Sequence, residues 1–236
     1  MGRDVIIACD FHDKSEVMDF LSLFKDNKPY VKIGMELFYS EGPEIVRLLK
    51  SNGHKVFLDL KLHDIPNTVK KSIKVLTSLG VDMLNVHAQG GITMMKEASN
   101  GVDEGCKESG VIKPKLIAVT QLTSIDQKTM SEELLIDRDL KDVVLSYSKN
   151  VQKAGLDGVV CSAYEASMIH DYVSPDFVTV TPGIRLNGDD QMDQKRVATP
   201  ANAKELTSDF IVVGRSITAS KDPVKAYERC IEDFIK

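Results

Sequence analysis

Short apolar runs rich in Val, Ile and Leu alternate with longer amphipathic stretches from one end of the chain to the other. The runs fall at 4–10, 30–35, 55–61, 83–88, 115–122, 158–163, 177–182 and 209–214. Their length and β-branched character predict buried strands. Between them, apolar residues recur three and four positions apart, which predicts helices over 15–24, 42–52, 68–80, 92–105, 139–155, 163–172, 201–208 and 222–235. Several boundaries carry their own chemistry. Ser15 or Asp13 can cap the first helix, and Gly53, Gly80 and Gly155 stand where a chain often leaves a helix at positive φ. Asp222-Pro223 offers a cap followed by a first-turn proline.

Eight strands, each followed by a helix, predict an α/β fold, a single-domain (β/α)8 TIM barrel spanning residues 1–236. A doubly wound open sheet shares the alternation. The count of eight and the lack of a GxGxxG after the first strand favour the barrel. No linker, low-complexity run or strict repeat divides the chain. The longest irregular piece, GIRLNGDDQMDQKRVATP at 183–200, is expected to be a mobile functional lid, because structureless loops of this length are uncommon inside compact domains.

The stretch FLDLKLHDIPNT, residues 57–68, breaks the apolar rule. Strand side chains alternate, so Asp59 and Lys61 project to one face while Leu58, Leu60 and Leu62 project to the other. In a barrel the helices cover the leucines, and the two charges point inward near the carboxyl end of the third strand, where such barrels build active sites. The same geometry puts Asp10 at the end of strand one and Lys32 on strand two. Each residue alone has a plain explanation. An Asp–Lys pair on a strand is ordinarily a surface ion pair worth ~0–1 kcal/mol, Asp10 can serve a turn, and a lone Lys32 can snorkel to water. Charges on three neighbouring strands, all on the inward face, point instead to an array that compensates itself, since an unpaired charge there would be costly. Asp64 lies beyond the strand, before Ile65-Pro66. It can cap the following helix through the amides of Thr68 or its neighbours, or reach across a subunit boundary.

The last two strands end in TPGIR (181–185) and VVGRSIT (212–218). Barrels often bind phosphate on the loops after strands seven and eight. Gly214 would allow close backbone approach and Arg215 a bidentate charge, with Gly183 and Arg185 as a second contact.

Composition narrows the field further. Apolar residues make up 42% and charged residues 28% of 236 residues, ordinary for a globular protein. A net charge of −5 argues against nucleic acid as a partner, while leaving room for a small basic patch. Cys9, Cys106, Cys161 and Cys230 form no CxxC pair, which suits reduced thiols in a cytoplasmic protein. No apolar segment approaches the ~18 residues that span a bilayer, and the amino-terminal run is too short for a signal peptide. The five histidines show no ligand spacing, so no metal site is expected; His87, at the end of strand four, is the one histidine placed to enter the mouth, and it reads as a core or hydrogen-bonded residue rather than a ligand. QGGITMM reads as a tight turn into a helix, with Met94 and Met95 filling core.

The Asp-x-Lys-x-x-Asp pattern in LDLKLHDIPNT, together with ACDF, VKIGMELFYSEGP, VTQLTS, VTPGIR, DQKRVATP and FIVVGRSIT, resembles the orotidine 5′-phosphate decarboxylase family over essentially the whole chain. The resemblance implies cofactor-free decarboxylation of orotidine 5′-phosphate (OMP) to UMP in de novo pyrimidine biosynthesis, by a homodimer. It implies that Asp10 and Lys32 hold ribose hydroxyls, that Asp59 sits against the departing carboxylate, and that Lys61 protonates C6. Asp64 of the partner subunit, with Ile65 and Thr68 beside it, would complete each site. Thr123 would contact the pyrimidine; Arg185, Gly214 and Arg215 would grip the phosphate. Gln194 on the long loop would bridge base and phosphate, with Gln191 the alternative. Three rivals are weaker. A magnesium-dependent sugar-phosphate decarboxylase or aldolase of the same superfamily needs a carboxylate on strand two, where this chain has Lys32. A Schiff-base aldolase needs a lysine in an apolar pocket, whereas Lys61 has acidic neighbours. A catalytically silent nucleotide-binding barrel would not require the full charge set.

Overall fold

The computed structural model describes residues 2–25, 27–186 and 196–236. Strands β1 (Asp4–Ala8), β2 (Tyr30–Ile33), β3 (Val56–Leu62), β4 (Met83–His87), β5 (Lys115–Val119), β6 (Gly158–Val160), β7 (Val178–Thr181) and β8 (Phe210–Val213) close in sequence order into one barrel. All eight neighbouring pairs run parallel. The helices are α1 (Lys14–Ser22), α2 (Met35–Glu41), α3 (Pro43–Ser51), α4 (Pro66–Thr77), α5 (Gly91–Ser109), α6 (Gln127–Glu132), α7 (Leu140–Lys153), α8 (Ala163–Tyr172), α9 (Pro200–Glu205), α10 (Arg215–Thr218) and α11 (Pro223–Phe234). Asp13 caps α1 through Glu16 N, and Asp222 caps α11 through Lys225 N ahead of Pro223. Gly53, Gly80 and Gly155 all take positive φ. Among the described residues no helix is long and apolar enough to cross a membrane.

Several strands stop earlier than their apolar runs suggest. β1 ends at Ala8 and β8 at Val213, so Asp10 and Gly214 stand beyond the ladder, at the rim where the chain turns toward a helix. The helix expected over 42–52 is α3, and an additional helix, α2, precedes it, parted from it by Gly42 at φ 68. Sequence pattern missed α2 because its apolar residues continue those of β2 and Gly34, its cap, offers no side-chain bond.

Two apolar layers hold the barrel. Inside it, Ile6, Tyr30, Phe57, Met83, Ile117 and Phe210 form one cluster. Outside it, Leu58, Leu60 and their neighbours meet the helices in the larger core. Each fully buried side chain of this size contributes about 1.5–3 kcal/mol. The inner cluster plugs the barrel's interior, which leaves the carboxyl-end mouth as the open volume.

Two contacts steady the elements that carry the mouth. Helix α5 crosses α4 at Gly101 and Gly105; a Cβ at Gly101 would collide with the Lys70 carbonyl, and one at Gly105 would lie 2.8 Å from that of Lys74. Lys70–Glu104 (2.8 Å) and Lys74–Glu108 (2.6 Å) flank the seam. On the other side, Asp209 ties β8 to β7: its Oδ2 accepts from Thr179 N at 2.8 Å and from Thr179 Oγ1 at 3.0 Å. His170 Nε2 lies 3.2 Å from the same oxygen. The bond to Asp209 lifts the His170 pKa above its usual 6.5, against the opposing effect of burial. A raised folded pKa means stabilisation that is complete below the unfolded value and fades as pH rises through the folded one. His170→Gln should therefore lower the melting temperature more at about pH 6 than at about pH 9. Equal losses in melts at both pH values would remove the charged His170–Asp209 pair from the account.

Candidate active site

The strand period that fills the barrel also delivers its charges. Ala8 and Phe57 belong to the inner cluster. Two residues further along the same inward phase stand Asp10 and Asp59, with Lys32 following Tyr30 on β2. Lys32 Nζ lies 2.9 Å from Asp10 Oδ1 and 3.4 Å from Asp59 Oδ2, and Lys61 Nζ lies 2.7 Å from Asp59 Oδ1. The result is an alternating chain, Asp10–Lys32–Asp59–Lys61, across three strands. Burial alone would raise the Asp59 pKa, but Lys32, Lys61 and a bond from Asn85 outweigh it and hold the carboxyl below its usual range. Burial alone would lower Lys32, and Asp59 with Asp10 outweigh that, keeping it above its usual value. Both shifts favour the ionised pair. Gly34 leaves room for it: a Cβ there would stand 3.0 Å from Asp10 Oδ1 and 3.3 Å from Lys32 Nζ.

Lys61 reaches this array by a different route from simple alternation. Its φ is 52, in the left-handed region, and the β3–β4 register slips between Leu58 and Leu62. A bulge re-aims the side chain, as bulges beside sites do. The Lys61 N–H leaves the ladder and donates to Asn85 Oδ1 at 2.8 Å, while Asn85 Nδ2 donates to Asp59 Oδ1 at 2.6 Å.

The array forms one wall of a cavity of about 290 Å³ at the carboxyl-end mouth. Val119, Val160, Val180 and Val212 also line it. Thr123, buried, and Arg185, Gly214 and Arg215 complete the lining from the β5, β7 and β8 ends. Strand order sets β7, which leads to Arg185, opposite β3, while β8, which leads to Arg215, pairs with β1 beside the Asp10 end of the array. A Cβ at Gly214 would meet only Ala8 Cβ at 3.6 Å, an ordinary contact.

Three expected residues are not in this chain's cavity. Asp64, Ile65 and Thr68 are exposed at the start of α4, Ile65 to 68%. Asp64 does not cap that helix: its Oδ1 accepts from Ile65 N at 2.7 Å, and the Thr68 amide bonds to Ile65 O at 3.0 Å. Ile65 occupies the cap position and Pro66 has no N–H to offer, so the first turn is closed by backbone instead. His87, the one histidine placed to enter the mouth, packs beside it instead. It is not part of the cavity lining; its ring packs on His63 with centroids 5.6 Å apart, and burial lowers its pKa. Gln194 and Gln191 lie outside the described residues, as does the loop from 187 to 195.

The two roots of that loop are fastened together. Arg185 N donates to Ala198 O at 3.0 Å, and Ala198 N to Gly183 O at 3.1 Å. Gly183 takes φ 78, which justifies the glycine. Arg196 pairs with buried Glu165 and donates to Leu122 O at 3.2 Å, next to Thr123. Sequence reading missed Glu165, Arg196 and Asn85. Asn85 left a usable signal, a polar residue on the inward phase of an otherwise apolar strand, two after Met83.

This geometry has counterparts. The family described as Orotidine 5'-phosphate decarboxylase / HUMPS family matches residues 3–230. The chain belongs to that family. As a member, it is 54% identical over 228 residues to the orotidine 5′-phosphate decarboxylase of Bacillus cytotoxicus, across 97% of this chain and 95% of that one. A crystal structure of orotidine 5′-phosphate decarboxylase from Lactobacillus acidophilus superposes with a TM-score of 0.89 at 42% identity, covering 99% of this chain and 100% of the other. An uncharacterized conserved protein from Geobacillus kaustophilus gives a TM-score of 0.86 at 47% identity over 98% and 99% of the two chains. The orotidine 5′-phosphate decarboxylase / HUMPS barrel is thus matched along nearly its full length.

Proposed function

We propose that this protein converts OMP to UMP, a step of de novo pyrimidine synthesis, without a cofactor and as a cytoplasmic homodimer. One observation carries the reading: the ion chain Asp10–Lys32–Asp59–Lys61 lines the same cavity as Arg185 and Arg215. A nucleotide fits that polarity, its phosphate at the guanidinium groups and C6 of its pyrimidine at the ion chain. Cleavage of the C6–carboxylate bond releases CO₂ and leaves an electron pair on a ring carbon that resonance stabilises poorly. A cation fixed beforehand stabilises that charge as it develops. Lys61 is that cation, and it then transfers its proton to C6 and becomes a neutral amine. Asp59 stands against the substrate carboxylate; repulsion in the ground state is a secondary contribution.

Asp10 and Lys32 take the ribose hydroxyls, and Lys32 also holds Asp59. Thr123 meets the pyrimidine. Gly214 lets the backbone approach the phosphate, and Gln194 bridges phosphate and base. Binding energy from the phosphate closes the 183–200 loop and excludes water. The partner subunit's Asp64 completes the network, with the partner's Ile65 and the partner's Thr68 beside it. Exposure of a large apolar residue, Ile65, next to Asp64 supports a covered surface there.

A magnesium-dependent sugar-phosphate reaction is disfavoured by Lys32, whose ammonium occupies the ground between Asp10 and Asp59 that a cation would need. The test is to follow the absorbance of OMP with purified protein, with and without EDTA. The expected result is OMP loss at a rate that chelation does not change. Activity that EDTA abolishes would support the metal-dependent rival, and absence of OMP loss would overturn the assignment.

A further inference from the structure

We infer that Asn85 is a positioning residue for this reaction, the group that fixes both the Asp59 carboxylate and the backbone from which Lys61 departs. The inference rests on the decarboxylase reading above. Asn85 sits in the middle of β4, 2% exposed, between Leu84 and Val86 of the outer core. A carboxamide there is costly unless its polar atoms are bonded. Both ends are bonded, and both to the charge array: Nδ2 to Asp59 Oδ1 at 2.6 Å, Oδ1 to Lys61 N at 2.8 Å.

The backbone bond has a specific task. Lysine at φ 52 is held in a conformation that side chains with a Cβ disfavour, and such residues persist only where surroundings over-determine them. The slipped β3–β4 register takes the Lys61 N–H off the ladder, and the Asn85 oxygen stands in for the lost strand acceptor. The bond to Asp59 has another task. Asp59 Oδ1 is shared between the Lys61 ammonium at 2.7 Å and the Asn85 amide. A neutral donor orients that oxygen without altering the alternating charges. Asn85 is not among the residues lining the cavity, so it acts through Asp59 and Lys61.

Two variants with opposite pH signatures test this. The charged groups facing Asp59 are Lys32 from β2, Lys61 from β3 and, more remotely, His87 on β4; Asp10 reaches it through Lys32. Asn85→Ala removes a donor to the ionised carboxylate, so the acid limb of kcat/KM should move to higher pH, with kcat about 100-fold lower and KM changed little. Asn85→Asp keeps the acceptor for the Lys61 N–H but sets a second carboxyl against Asp59. Below the raised apparent pKa of that pair one shared proton restores the donor. Its activity should therefore recover as pH falls, opposite to the alanine variant.

Turnover within about threefold of wild type in both variants would overturn the inference. So would equal losses with pH profiles that superimpose on the wild-type profile, the mark of a residue that only fills space. If Asn85→Ala does not fold, the isosteric aspartate variant decides by its pH profile alone. Wild-type protein that leaves OMP intact would instead sink the functional reading. Asn85 is then judged by the structure of Asn85→Ala, where Lys61 retaining positive φ would overturn the positioning claim.

Discussion

Lys61→Ala is expected to abolish OMP turnover, with kcat falling by about 10⁴-fold or more, while UMP affinity stays close to wild type. The size follows from two losses at one atom. General-acid transfer is typically worth ~10²–10⁴, and a prearranged charge facing a developing anion a further ~10²–10³. Product carries no C6 carboxylate or carbanion, so it loses little. The fold should survive, because Asp59 keeps Lys32 at 3.4 Å and Asn85 at 2.6 Å and is not left as a bare buried charge. Alanine at φ 52 carries the same Cβ as lysine, so the bulge is not relaxed by the change. Single-turnover assays of OMP loss beside UMP titrations separate the two quantities. Retention of more than a few per cent of wild-type kcat would exclude Lys61 as the proton donor, whatever happens to binding.

Arg215→Ala should cut kcat/KM for OMP by about 10³-fold yet change the much slower reaction of orotidine, which lacks the phosphate, by less than about threefold. Each hydrogen bond to a charged group is worth about 1.5–3 kcal/mol, a bidentate guanidinium makes two to a phosphate, and phosphate binding is drawn on again at the transition state. Arg215 stands beside Gly214 in the lining, on the β8 side, away from Lys61 on β3. Its loss should therefore be felt through the phosphate and not through the chemistry at C6. Comparing kcat/KM for the two substrates in wild type and variant measures that selectivity. Parallel losses on both would mean that Arg215 shapes the cavity and does not hold the phosphate.

The barrel was legible because its eight apolar runs are separated by amphipathic stretches, and the closed sheet follows that order. Asp10, Lys32 and Asp59 were legible for the same reason: one inward phase carries core residues first and charges next. Lys61 was found by that rule although its own backbone departs from it. Pleat periodicity cannot foresee a bulge, which depends on register with β4. Asn85 escaped because a single amide inside VDMLNVHA looks like tolerance of polarity until its two partners are seen. The Glu165–Arg196 pair joins residues 31 apart in sequence; Arg196 lies in DQKRVATP and Glu165 in the Ser162–Glu165 capping box, and neither stretch indicates the other. The capping alternative for Asp64 fails because capping preference takes no account of a proline start, where backbone carbonyls do the work.

The seam between α4 and α5 bears on how Asp64 and Ile65 are presented. No methyl group fits at Gly101 against the Lys70 carbonyl, nor at Gly105 against Lys74 and Thr77. Helix α4 begins at Pro66, directly after Asp64 and Ile65. A wedge inserted at either glycine would tilt the rod that those two residues lead into, so in the proposed homodimer what one protomer offers its neighbour would be constrained by the hydrogen atoms of two buried glycines.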